Sequence, residues 1–170
     1  MKRFWKTATL LTVAAVLATA VMSGCNQGTG GTGNTSGSGG LIPGGVLPAV
    51  SAADITGLWK VTQGGHSSPA AEMYLYYEGS GETVYLAQTS DNGATFNKIT
   101  GVAFKFKDGR VVQEAGGHQS KFAVKKEGNT LKLYAISPDG TMMASTPAYT
   151  LEKDETPAHS AWGAAIKALY

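Results

Sequence analysis

Between Gly57 and Glu152 strand signals, runs rich in β-branched and aromatic residues, recur at short intervals and are separated by turn residues, though no internal sequence repeat occurs. Asp108-Gly109 separates two such runs by two residues, the signature of a two-residue hairpin. Glu127-Gly128-Asn129 and Gly79-Ser80-Gly81 make two more short connections. Connections this short force consecutive strands to lie side by side and antiparallel. The spacing predicts strands over 57–62, 72–78, 83–89, 95–107, 110–115, 119–126, 130–136 and 143–152, the fourth kinked or bulged at Gly101. Eight strands joined up-and-down can close on themselves, which removes exposed edges. The expected fold is all-β, an eight-stranded antiparallel up-and-down barrel.

Alternation says which side chains face inward. Val102, Phe104 and Phe106 share one face and Lys105 and Lys107 the other. Phe122 and Val124 oppose Lys121 and Lys125, and Leu131 and Leu133 oppose Lys132. Val84 and Leu86 join the same inner set. A barrel of this size either fills with side chains or holds one small ligand. Phe104, Phe106, Phe122, Leu131 and Leu133 are therefore the candidate ligand-lining residues. An internal void above about 300 Å³ would favour a ligand, and a packed interior would favour a partner docking on the outside.

One strand breaks the pattern. Tyr74, Leu75, Tyr76 and Tyr77 run together, so apolar groups occupy both faces and something must cover the outer one. The end of the sequence offers that cover. Thr156 is a candidate N-cap with Pro157 at the first helical position. Ala158, Ala161, Trp162, Ala165, Ile166 and Leu169 follow on one helical stripe. A short C-terminal α-helix packed on the barrel wall is expected.

The first residues are of another kind. Lys2, Arg3 and Lys6 precede an apolar run from Ala8 to Val21, too short to span a bilayer comfortably but right for the core of a signal peptide. It ends in Met22-Ser23-Gly24-Cys25, which resembles the bacterial lipobox. The resemblance implies a lipoprotein signal peptide over 1–24, cleavage before Cys25, and lipidation of Cys25 with diacylglyceryl and N-acyl (palmitate-type) chains. Each buried CH₂ contributes about 0.8 kcal/mol and stable anchoring takes at least two chains, so a triacylated Cys25 holds its protein durably in membrane lipid. Asn26, rather than Asp, follows the Cys. By resemblance to Gram-negative sorting rules, that favours the outer membrane over retention at the inner one.

Residues 25–53 read as a tether of Gly, Ser, Thr and Asn with too little apolar surface to pack. As a flexible coil it reaches about 25–30 Å r.m.s.. The folded domain is expected over 54–170. The chain has 170 residues and a net charge of +2, but three of its 14 basic residues lie in the signal segment. The remainder, 11 basic against 12 acidic, gives no electrostatic case for nucleic acid. A single Cys excludes an internal disulfide.

Thr56-Gly57-Leu58-Trp59-Lys60-Val61 is similar to the opening strand of lipocalin-like proteins. The later order is similar too: a strand, Asp-Gly, a strand, Phe-x-Val, Gly-Asn-Thr-Leu-Lys-Leu, a closing Tyr-Thr-Leu strand and a helix. The resemblance covers roughly 54–170 and implies a lipocalin-like β-barrel whose closed end is plugged by Trp59. The family often sets an Arg over that Trp from near the end of the barrel; here the only Arg after the signal segment is Arg110, mid-chain. Locally, Thr89-Ser90-Asp91-Asn92-Gly93-Ala94-Thr95-Phe96 looks like an Asp-box, a hairpin whose Asp side chain bonds the turn's backbone N–H groups.

Chemistry is sparse. In an up-and-down barrel alternate loops share one end, so His66, His118, Asp91 and Asp139 are expected on the open rim. A His₂-carboxylate set there, with His66 and His118, is the candidate metal site. Two exposed loop histidines with no metal are the simpler reading. No nucleophile motif, Walker loop or dinucleotide fingerprint occurs, so neither an enzyme nor a cofactor is expected. Asp154 and Glu155 are read as favouring the start of the helix. The expected function is a membrane-anchored cell-envelope lipoprotein whose barrel binds or presents a small apolar ligand at its mouth. The alternative is a filled barrel docking an envelope protein partner.

Overall fold

The structure, a computed structural model, describes residues 41–43, 47–64 and 71–170. The predicted signal segment, Cys25 and His66 lie outside the described residues. Among the described residues eleven strands form, in chain order: β1 (Leu41–Pro43), β2 (Gly57–Gln63), β3 (Glu72–Tyr77), β4 (Thr83–Thr89), β5 (Asn97–Lys98), β6 (Val102–Lys107), β7 (Arg110–Ala115), β8 (His118–Glu127), β9 (Thr130–Ile136), β10 (Met142–Ala144) and β11 (Tyr149–Lys153). Two short helices join them: α1 (Ala52–Ile55) before β2, and α2 (Trp162–Lys167) after β11.

Eight of the strands close an antiparallel barrel in the order β2-β3-β4-β6-β7-β8-β9-β11, with β11 pairing back onto β2. Around the ring each strand pairs with the next barrel strand in sequence, β5 and β10 lying off this path, and the last pairs with the first. At the β6–β7 hairpin, Asp108 and Gly109 both take positive φ, +51° and +69°, the backbone of a type I′ turn. β5 pairs with the rim half of β4, and β1 and β10 extend the sheet beyond β9.

Two predicted strands are each divided. The 95–107 run bends at Gly101 (φ +80°) into β5 and β6, so the expected kink becomes a full interruption. The 143–152 run is divided into β10 and β11, because Pro147 lies between them and has no N–H for a ladder.

Inside the barrel, Trp59, Leu75, Tyr77, Val84, Leu86, Phe104, Phe106, Val111, Phe122, Val124, Leu131, Leu133, Tyr149 and Leu151 form one buried cluster. Each such side chain contributes roughly 1.5–3 kcal/mol by leaving water. Tyr149 meets the rings of Phe104 and Phe122 edge-on, at 5.8 and 5.6 Å between centroids.

A second cluster lies outside the wall. Leu58, Tyr74, Ala87 and Ile166 are buried there with Tyr76, Tyr85, Phe96, Trp162 and Leu169 against them. This is the cover demanded by the tyrosines on both faces of β3. Trp162 sits edge-on to Tyr74 at 5.4 Å and to Phe96 at 5.3 Å. Gly163 lets the helix approach closely, since a Cβ there would meet the Tyr76 ring at 2.5 Å. The helical stretch is shorter than its sequence stripe. Pro157–His159 form a single 3₁₀ turn, and only Trp162–Lys167 are α-helical.

Candidate functional site at the open end

The two ends of the barrel differ in what closes them. At one end the hairpin turns are short and residues 47–55 lie across the opening. Ile55 O accepts a 2.8 Å hydrogen bond from the Trp59 indole, which is only 2 % exposed. Val50 N–H donates to Gly109 O at 3.2 Å, and Val50 and Ala52 pack on the inner cluster. Arg110 donates to the carbonyls of Pro48 (2.9 Å) and Leu47 (2.5 Å). Asp54 caps α1 through Ser51 and reaches Lys126. The tether sequence gives no regular period at 47–53, yet these residues are tied to the barrel by backbone bonds, which composition does not reveal.

The other end carries the long loops and is the candidate site. Inward-facing Val61, Met73, Val102 and Ala135 are only partly buried and form the wall of a shallow mouth. Beneath them lie Gln113 and Tyr149, each 8 % exposed, with the Tyr149 hydroxyl 3.4 Å from Gln113 Oε1. Burial pushes the Tyr149 hydroxyl's pKa up, so it stays a neutral donor at physiological pH. A second shallow depression, about 490 Å³, runs over the rim beside Val102, Ala115 and His118.

The rim loops are held by their own side chains. Asp91 accepts from the Thr89 hydroxyl (2.8 Å) and the Thr95 N–H (2.9 Å), the bonding pattern of the Asp-box-like stretch. Phe96, its aromatic, packs under Trp162 and ties this loop to the outer helix. Asp139 accepts from the Ser137 hydroxyl and from the Thr141 N–H and hydroxyl. These bonds hold both carboxylates below the usual range, led by Thr89 at Asp91 and by Ser137 at Asp139.

The interior candidates Phe104, Phe106, Phe122, Leu131 and Leu133 come together inside the barrel and are all buried. His118 is exposed on the rim at the first residue of β8. Among the described residues no group of three His, Cys, Asp or Glu side chains is placed to hold a metal. Asp91 and Asp139 are each engaged by their own turn.

One polar cluster at the strand-to-helix junction goes beyond what the sequence suggests there. Asp154, 7 % exposed at its side chain, bonds His159 Nδ1 at 2.7 Å and accepts from Thr156 N–H. His159 stacks flat on Trp162 at 3.5 Å. Burial raises the Asp154 pKa, but the bonds from His159 and Thr156 outweigh it and hold the carboxyl below its ordinary value. Nearby, Glu72 receives Lys60 and the Tyr74 hydroxyl. Burial and the Glu72 carboxylate push Tyr74 up. These groups latch the outer helix to β2 and β3. Asp154 thus partners His159 within the 3₁₀ turn, while Glu155 receives Asn129 and Lys153.

No family model matches the chain, and no curated protein and no solved structure matches it.

Proposed function

We propose that this chain is a lipid-anchored lipoprotein of the cell envelope, whose filled barrel is a scaffold that docks an envelope protein partner through its open-end loops. The observation that carries this reading is the interior. The space where a small apolar ligand would sit is occupied by Phe104, Phe122, Leu131, Leu133 and Tyr149, packed ring against ring. A filled barrel presents its loops rather than its inside. The rim suits presentation, because its Ser, Thr, Asn and Gly residues offer adaptable hydrogen bonding with little charge.

The anchor in this proposal is Cys25, acylated into membrane lipid, with the outer membrane favoured by Asn26 in a Gram-negative host. The module is non-catalytic and uses no cofactor. A second reading keeps a small apolar ligand, seated at the mouth rather than inside. The observation in its favour is the inward pair of polar side chains, Gln113 and Tyr149, beneath Val61, Met73, Val102 and Ala135.

A photocrosslinking residue placed at Asn92 or Thr141 on the rim, and at Ser80 or Asn129 at the opposite end, separates the readings in living cells. Docking predicts one discrete protein adduct from the rim positions and none from the opposite end. Equal labelling from both ends, or none from the rim, ends the docking reading. A small added mass on the intact protein in native mass spectrometry, lost on Gln113→Leu, would instead support the mouth ligand. Cys25→Ser should abolish palmitate labelling and release the chain from the membrane fraction.

A further inference from the structure

The barrel wall is uneven. β6 and β7 share six register pairs and β8 and β9 seven, whereas β4 and β6 share only Thr83↔Lys105 and Val84↔Phe104. Farther along, β4 pairs with β5 at Ala87↔Lys98 and Gln88↔Asn97. Between these contacts Tyr85 and Leu86 face no strand on that side, because residues 99–101 bow away at Gly101. The gap opens a groove of about 510 Å³, lined by Val84, Lys98, Ile99, Val102, Phe104 and Tyr170. Val84 and Phe104 belong to the inner cluster, so this groove reaches the inner packing from the side.

A single side chain stands in for the missing strand. The Tyr170 hydroxyl donates to Leu86 O at 2.7 Å and accepts from Leu86 N–H at 3.4 Å. One hydroxyl thereby satisfies both ladder groups of the unpaired residue. Its ring meets Tyr85 edge-on at 5.5 Å and carries the Lys98 ammonium at 3.9 Å from its centre. Lys98 makes no ion pair among the described residues, so its partner here is the ring. Tyr170 is nevertheless 49 % exposed, so water competes for every one of these contacts. Ile166, one turn earlier, is fully buried and Trp162 is wedged between rings, which anchors the helix.

We propose that Tyr170 is a releasable stopper in a side entrance of the barrel, with α2 and Leu169, packed on the outer cluster, as its fixed end. Release frees the Leu86 N–H and C=O and uncovers Val84 and Phe104 laterally; it gives up the ring contact with Tyr85 but leaves Leu58, Tyr74, Phe96, Trp162 and Ile166 packed together. This device is independent of what docks at the rim.

The test uses the full chain carrying Cys25→Ser, so that an introduced thiol is the only one. Val84→Cys reports the seam, and Leu133→Cys reports an inward position on β9, across the barrel from it. Maleimide labelling at Val84→Cys should quicken about tenfold on adding Tyr170→Ala, with Leu133→Cys unchanged. Equal quickening at both positions means general loosening and overturns the proposal, as does no change at Val84→Cys. Should the cysteine variants fail to fold, amide exchange in the Tyr170→Phe chain serves instead. Faster exchange at Leu86 with β8 and β9 unchanged is expected; unchanged exchange at Leu86 overturns the proposal.

Discussion

The two ends of this barrel use the same strands for opposite purposes. At the closed end, every connection is short and the chain before β2 is drawn across the opening. There the Trp59 indole and the Arg110 guanidinium donate to backbone carbonyls, Val50 N–H donates to Gly109 O, and Ile55 packs into the core. At the open end the loops are longer, their carboxylates bond within their own turns, and the inward side chains thin out to Val61, Met73, Val102 and Ala135. The difference teaches where stability and freedom are kept. Loops that satisfy their own polar groups can change without touching the core. A plug whose bonds cross from one segment to another cannot.

Substitutions at the two ends test that contrast. Trp59→Ala should have the largest effect, about 3–5 kcal/mol in urea unfolding, because it empties a buried site at the plug and leaves Ile55 O without its donor. A loss under about 1 kcal/mol would mean the plug is not where the barrel is closed. Arg110→Ala should follow at roughly 1–2 kcal/mol, with faster amide exchange over 47–55, since two carbonyl partners lose a charged donor. At the other end, Asp91→Ala should cost about 1 kcal/mol, and its exchange changes should stay within the 89–96 hairpin and the Trp162 contact.

Acid should act on the outer helix before the barrel. The Asp154 carboxyl is held below its unfolded value, so its contribution is complete above the ordinary carboxylate range, near pH ~4. It is lost as pH falls through the lower, folded value. Trp162 fluorescence should therefore change in that acid window, and Asp154→Asn should remove this transition. A transition that persists unchanged in that variant sinks the assignment. The smallest effect is expected from His118→Ala on the rim, within about 0.5 kcal/mol. The same variant, together with His66→Ala, tests the metal reading by zinc calorimetry: heat that the unmutated chain shows and the double variant lacks would support it.

Much of this architecture is legible in local pattern. Alternation in Val102–Lys107 and around Phe122–Lys125 assigns faces correctly because a strand's side chains alternate by geometry, wherever the strand ends up. Asp108-Gly109 sets a hairpin because its backbone must take positive φ. The excess of tyrosine in β3 announces an outer cover, and the stripe of Trp162 and Ile166 supplies it. The Asp154–His159 pair and the plug bonds of 47–55 left no such trace. Asp154 and His159 are only five residues apart, but the 3₁₀ turn that brings them together has no side-chain period of its own. The plug bonds of Arg110 reach backbone carbonyls 62 and 63 residues away, which carry no residue signature.

By itself, then, the sequence determined the antiparallel order, the inward face and the need for a covering helix, since each follows from short-range sterics and the two-residue strand period. Its Cys25 motif is the whole basis of the proposed anchor. Only the tertiary structure decided that the interior is filled, that Tyr170 completes a broken wall, and that residues 47–55 lie across the closed end. Those depend on how volumes and unpaired backbone groups meet across the barrel, and such meetings arise only when the ring closes.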